Sequence, residues 1–156
     1  MVETSITIAG PFTGKAALCE PILRALPDWF GIEEAVENYL KDINGLPTFL
    51  AVEQGKTIGF LTLKQHTPFA AELLVMGVYP EIRRGGVGRL LVNTAEDWLR
   101  KQALEYFQVK TLGPSRPEEG YAATRAFYEA LGFRPMEELT QIWGEDNPCL
   151  IFIKRL

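Results

Sequence analysis

Between two apolar segments stands Arg83-Arg84-Gly85-Gly86-Val87-Gly88-Arg89, which concentrates three glycines and three arginines. The run Ala71–Tyr79 before it reads as a strand. After it, Val87, Leu91, Ala95, Trp98 and Leu99 mark the apolar stripe of a helix. A glycine-rich turn that enters a helix has the chemistry of an anion site. Unpaired N–H groups and the positive end of the macrodipole face the ligand there. Glycine lets the backbone come close, and arginine grips phosphate oxygens in pairs. The ligand class these features share is a di- or polyphosphate. Two common phosphate motifs do not fit. GxGxxG fails because Leu91 stands where the third glycine belongs. Gly10-Pro11-Phe12-Thr13-Gly14-Lys15-Ala16 is one residue too short for GxxxxGK[ST], and Ala16 has no oxygen for magnesium. The plain alternative is a glycine turn with solvated arginines.

The spacing that fits is Arg83-x-x-Gly86-x-Gly88, the pattern [Q/R]xxGx[G/A]. Downstream, Arg125–Phe133 reads RAFYEALGF, close to a helix that ends LYxxxGF. On these two motifs, in this order and spacing, the chain resembles the GNAT superfamily of N-acetyltransferases over nearly its whole length. The resemblance implies acetyl-CoA as acyl donor. Arg83 through Arg89 would meet its pyrophosphate, mainly through main-chain N–H groups. Met76, Gly77 and Val78 would lie along its pantetheine arm, with a backbone N–H near Gly77–Val78 stabilising the oxyanion. No metal is implied.

Amide formation from a thioester needs a neutral amine and a protonated leaving thiolate. A lysine-like amine, with a pKa near ~10.4, is almost wholly protonated at pH 7, so a base must take its proton. Glu72 lies at the start of the strand leading into the glycine loop. It sits eleven residues before Arg83, the offset of the general base in the histone-acetylating branch. Tyr128 matches the tyrosine that protonates the thiolate. The alternatives are a carboxylate at a solvent-edged strand start and a core aromatic. One departure stands out: Tyr121 and Thr124 occupy positions where many relatives have asparagine and alanine. On the acceptor side, Asp28, Trp29 and Phe30 form a loop whose aromatic walls and carboxylate suit an organic ammonium. With Tyr121 they are the candidate substrate contacts, against the reading of Trp29 and Phe30 as a hydrophobic plug.

Composition narrows the classes. Across 156 residues, 47% are hydrophobic and 23% charged, as in a globular domain. Sixteen basic against 20 acidic residues give a net charge of −4, which argues against nucleic acid as partner. The N-terminus lacks a secretory pattern and no apolar run is long enough for a membrane span, so a cytoplasmic protein is expected. Cys19 and Cys149 lie far apart outside any CxxC pattern and read as reduced thiols. His66 is the only histidine, too few for a histidine-based zinc cage.

These residues need a scaffold. Alternating patterns predict a single α/β domain over 1–156, with a mixed central sheet of about seven strands and about four helices. The expected strands are Ser5–Ala9 (closed by Gly10-Pro11), 48–54 and 57–64 as a hairpin, 71–79, 107–113, Glu138–Trp143 and Cys149–Lys154. Helices are expected over Ala17–Leu26, Ile32–Leu40, the segment from Val87 to about Gln102, and Tyr121–Leu131, stopped by Gly132. The function expected is direct acetyl transfer to a small-molecule or peptide amine in a ternary complex. A non-catalytic acyl-CoA sensor, or a transferase for another acyl-CoA, is the alternative. Many members of the family are homodimers.

Overall fold

The computed structural model describes residues 5–82 and 85–156. The strands are β1 (Ile6–Phe12), β2 (Thr48–Glu53), β3 (Lys56–Gln65), β4 (Ala70–Val78), β5 (Tyr106–Leu112), β6 (Arg134–Leu139) and β7 (Cys149–Arg155). The helices are α1 (Ala16–Arg24), α2 (Glu33–Gly45), α3 (Val87–Lys101) and α4 (Glu119–Ala130). The strands form one mixed sheet in the order β1-β2-β3-β4-β5-β7-β6. Its parallel pair is β4 with β5, where Ala70–Leu73 face Tyr106–Val109. Among the described residues no helix is long and apolar enough to cross a membrane.

The chain divides into two compact units, Met1–Lys64 with Leu74–Trp98, and Gln65–Leu73 with Leu99–Leu156. The first unit holds a core of Cys19, Ile22, Leu23, Val36, Ile43 and Phe60, all essentially inaccessible. α1 supplies Ala16, Cys19, Ile22 and Leu23 at helical spacing, so one face is buried. Gly77 of β4 is what lets α1 come close. A Cβ there would stand 3.0 Å from Ile22 Cγ2 and 3.1 Å from Phe60 Cε1, closer than side chains ordinarily pack. The β2–β3 hairpin reverses through Gln54 and Gly55, with φ of 50° and 77°. Positive φ at both central residues is the turn whose twist suits paired strands.

The second unit is built on β5, β6, β7 and α4. Phe107, Phe133 and Phe152 are fully buried, and Tyr128 is 6% exposed among them. α4 is fastened at its middle and at its C-terminal end. Arg125 Nη1 donates to the Leu112 carbonyl at the end of β5 (2.7 Å). Lys154 Nζ donates to the Leu131 carbonyl just past the helix (2.6 Å), a cation at the negative end of the dipole. Gly132 (φ 96°) then turns the chain so that Phe133 N–H reaches the Tyr128 carbonyl, the Schellman closure.

Two strand expectations are corrected. β1 does not end at Gly10-Pro11 but runs through them to Phe12, its register with β2 slipping between Ala9 and Phe12. The last hairpin begins at Arg134, not Glu138, and residues 140–148 are connection. β6 reads RPMEEL and is mostly exposed. It is an edge strand paired only with β7 in the sheet order, with a register shift between Pro135 and Glu137. Edge strands tolerate proline and charge, so no alternating apolar signal marks them.

Candidate active site

In the first unit, β4 and the following turn form the expected donor site. Along β4, Val75 and Gly77 are buried, whereas Leu74, Met76 and Val78 on the other face are half-buried. A short 3-10 turn, Pro80–Ile82, follows. The expected contacts of Arg83 and Arg84 lie outside the described residues. Gly85 and Gly86 are exposed, and Gly86 has φ 78° with open space where a Cβ would project. The Gly86 carbonyl accepts the first α-helical bond, from Leu90 N–H at 3.0 Å. Val87 is buried and anchors the helix start, while Gly88 and Arg89 stay accessible. The first turn of α3 carries no acidic residue to neutralise the dipole and has Arg89 instead. Helix starts ordinarily favour carboxylates. A turn that omits them, adds a guanidinium and leaves the backbone open is suited to an anionic ligand.

The acceptor candidates have defined surroundings. Asp28 is exposed. Trp29 and Phe30 pack against the core of the first unit, and Phe30 meets Tyr39 edge-on at 5.7 Å. In the second unit Tyr121 is half-buried near the start of α4. Burial pushes its phenol pKa up, Glu118 adds to the rise and Arg116 opposes it. The same unit has an open cleft of about 440 Å³ whose lining combines Glu138, Glu145 and Asp146 with Arg116, Ser115, Thr140, Pro117 and Pro148.

Glu72 is the third residue of β4 and lies inside the second unit, 3% exposed rather than at a solvent edge. Two nitrogens approach its Oε1. His66 Nε2 is 2.7 Å away and Lys110 Nζ 3.2 Å away. His66 sits in the β3–β4 turn, which is tied by its N–H to the Ala70 carbonyl (3.0 Å). Thr67 Oγ1 accepts from the Phe69 and Ala70 N–H groups, both at 3.1 Å. Lys110 comes from β5, two positions beyond Gln108, the register partner of Glu72. Neither His66 nor Lys110 was anticipated as a site residue. The available signal was that His66 precedes Glu72 by six residues across a turn. Only strand pairing brings Lys110 in.

Tyr128 lies on the buried face of α4. Its ring centroid is 5.3 Å from Phe127, 5.6 Å from Phe133 and 6.1 Å from Phe152. The ring is therefore held from several sides. The thiols are unsuited to carry an acyl group. Burial pushes Cys19 up to about 12. Cys149 is pushed up to about 11 by burial, with Lys110 opposing and Glu72 adding. A raised thiol pKa leaves the neutral form dominant at pH 8, and only the thiolate is nucleophilic. Native protein at pH 8 is expected to react with Ellman's reagent far more slowly than free cysteine. In guanidinium chloride both thiols should titrate.

Residues 18–133 match the Acetyltransferase (GNAT) family. An uncharacterized N-acetyltransferase of Chlorobaculum tepidum is 27% identical over 121 residues, which cover 76% of this chain and 70% of the relative. Among solved structures, a GNAT-family protein of Desulfovibrio desulfuricans superposes with a TM-score of 0.83 at 17% identity, covering 97% of this chain and 99% of that one. The PaiA N-acetyltransferase of Thermoplasma acidophilum, in complex with coenzyme A, gives a TM-score of 0.75 at 17% identity, over 97% and 99% of the two chains. At these identities the structural likeness is one of fold.

Proposed function

Since the chain belongs to the GNAT acetyltransferase family, we propose that it transfers the acetyl group of acetyl-CoA directly to a primary amine, of a small molecule or a peptide, in a ternary complex. Residues 1–156 serve as one acetyltransferase domain. The observation that carries the reading is the start of α3. Its backbone is open at Gly86, its first turn has no carboxylate, and Arg89 adds positive charge. These features fit the pyrophosphate of the donor. Arg83 and Arg84, next in sequence before Gly85, are proposed to add charge, and Met76 to Val78 accompany the pantetheine arm, their N–H groups offering the oxyanion contact.

The chemistry is assigned to two side chains. The acceptor enters as an ammonium, and Glu72 draws off its proton. The nitrogen lone pair forms the new C–N bond as the thioester C–S bond breaks, and the nitrogen sheds its second proton to solvent. Tyr128 delivers its phenolic proton to the sulfur and is reprotonated from solvent. Asp28, Trp29, Phe30 and Tyr121 are the proposed acceptor contacts. The buried, neutral thiols support transfer without an acyl-enzyme. The reading is tested by following thiol release from acetyl-CoA with a panel of polyamines, aminoglycosides, amino acids and lysine peptides. At least one amine is expected to accelerate release in a saturable way. Release indifferent to every amine, with no acetylated product, would overturn it.

A further inference from the structure

Glu72 is enclosed, and its partner His66 is the more exposed of the two. The carboxylate is 5% exposed at its side chain, against 32% for the imidazole. Lys110 Nζ and His66 Nε2 both converge on Oε1, at 3.2 and 2.7 Å. A carboxylate paired with an ammonium acts as acceptor, so the contact with His66 is an N–H donation. In the neutral ring this places the hydrogen on Nε2 and leaves the Nδ1 lone pair open. A buried carboxylate that holds an imidazole in one tautomer and offsets the charge it acquires is a recurrent way to build a base. The β3–β4 turn that holds His66 is closed by its own hydrogen bonds, so the imidazole is placed by backbone as well as by Glu72.

We propose that Nδ1 of His66 is the atom that accepts the acceptor's proton, and that Glu72 is the residue that positions and charges it. This rests on the acetyl-transfer reading and changes its base step. The ammonium N–H bond breaks and an Nδ1–H bond forms. The imidazolium that results is balanced by Glu72, and the ring, 32% exposed, then returns the proton to solvent. Lys110 keeps the carboxylate aligned. Among the described residues, titratable groups beside the pair include Lys110 on β5 and Cys149 on β7, the latter feeling both Lys110 and Glu72 and holding its proton.

Because the chain has one histidine, its ring nitrogens give single ¹⁵N signals in the intact protein, with no acceptor needed. Above the pH at which the ring loses its second proton, the spectrum is expected to show hydrogen on Nε2 and a bare Nδ1. This preference should weaken in Glu72→Gln. Hydrogen on Nδ1 in the wild type would overturn the proposal. The kinetic arm uses the panel amine with the fastest thiol release. His66→Gln keeps a donor toward Glu72 but cannot take a proton. It is expected to lose ~100-fold or more in kcat and the acidic limb of the pH profile, with KM for acetyl-CoA unchanged. Added imidazole should restore rate to His66→Ala and not to the His66→Ala, Glu72→Gln double variant. If His66→Gln keeps the wild-type rate and pH profile while Glu72→Gln is slow, the inference fails and Glu72 alone is the base. If no panel amine is acetylated, the acetyl-transfer reading fails and the nitrogen spectra still decide the tautomer.

Discussion

Gly86→Glu is expected to weaken acetyl-CoA binding by ~100-fold or more, or about 2.7 kcal/mol, while the protein still folds. Two effects act together. Gly86 has φ 78°, a conformation that costs a non-glycine residue roughly 1–2 kcal/mol. The new carboxylate would also stand at a helix start where the ligand's own negative charge is expected. The open space around the Gly86 Cβ position means that the side chain meets no atom of the protein. The strain should therefore lower the melting temperature of the free protein by only a few degrees. Gly86→Asn separates the effects, since asparagine tolerates positive φ and adds no charge. It should bind within about tenfold of wild type. Calorimetric titration with acetyl-CoA measures both variants, and wild-type affinity in Gly86→Glu would remove the loop from the donor site.

Tyr128→Phe should reduce kcat by about 100-fold or more, the range for losing a positioned acid, with little change in acetyl-CoA affinity. The substitution is informative because of how the ring is held. Phe127, Phe133 and Phe152 pack around it, and a phenylalanine keeps those contacts. The loss is then confined to the hydroxyl. Tyr128→Ala would confound the result, since opening a cavity among buried aromatics costs roughly 3–5 kcal/mol. Single-turnover thiol release against the panel amine reads the effect. A Tyr128→Phe enzyme with wild-type kcat would leave Tyr128 as a packing residue of α4.

Much of the scaffold was legible from local pattern. The stripe Val87, Leu91, Ala95, Trp98 and Leu99 is consistent with one helix face because i, i+4 spacing means the same thing wherever a helix lies. Val87, Leu91, Ala95 and Leu99 are indeed buried. The β2–β3 hairpin was legible from Gly55, although the reversal is centred on Gln54-Gly55. Edges were harder. β6 has no apolar alternation, because one side of it has no strand to pair with and its side chains remain in water. β1 passes through Gly10-Pro11, which local rules read as a stop, because pairing with β2 resumes at Phe12 and Thr48.

The order of residues alone determined the glycine turn ahead of a helix, the family motif and the two candidates Glu72 and Tyr128. Each is a local signal, carried by spacing within a strand, a turn or a helix. Tertiary structure decided what Glu72 is. From the sequence it opened a strand; in the fold it is enclosed by a histidine six residues away and a lysine 38 residues away. The β3–β4 turn brings the first partner, and the parallel pairing of β4 with β5 brings the second. Register across a sheet is set by the packing of all its strands, so a side chain's neighbours across it are not written in its own segment.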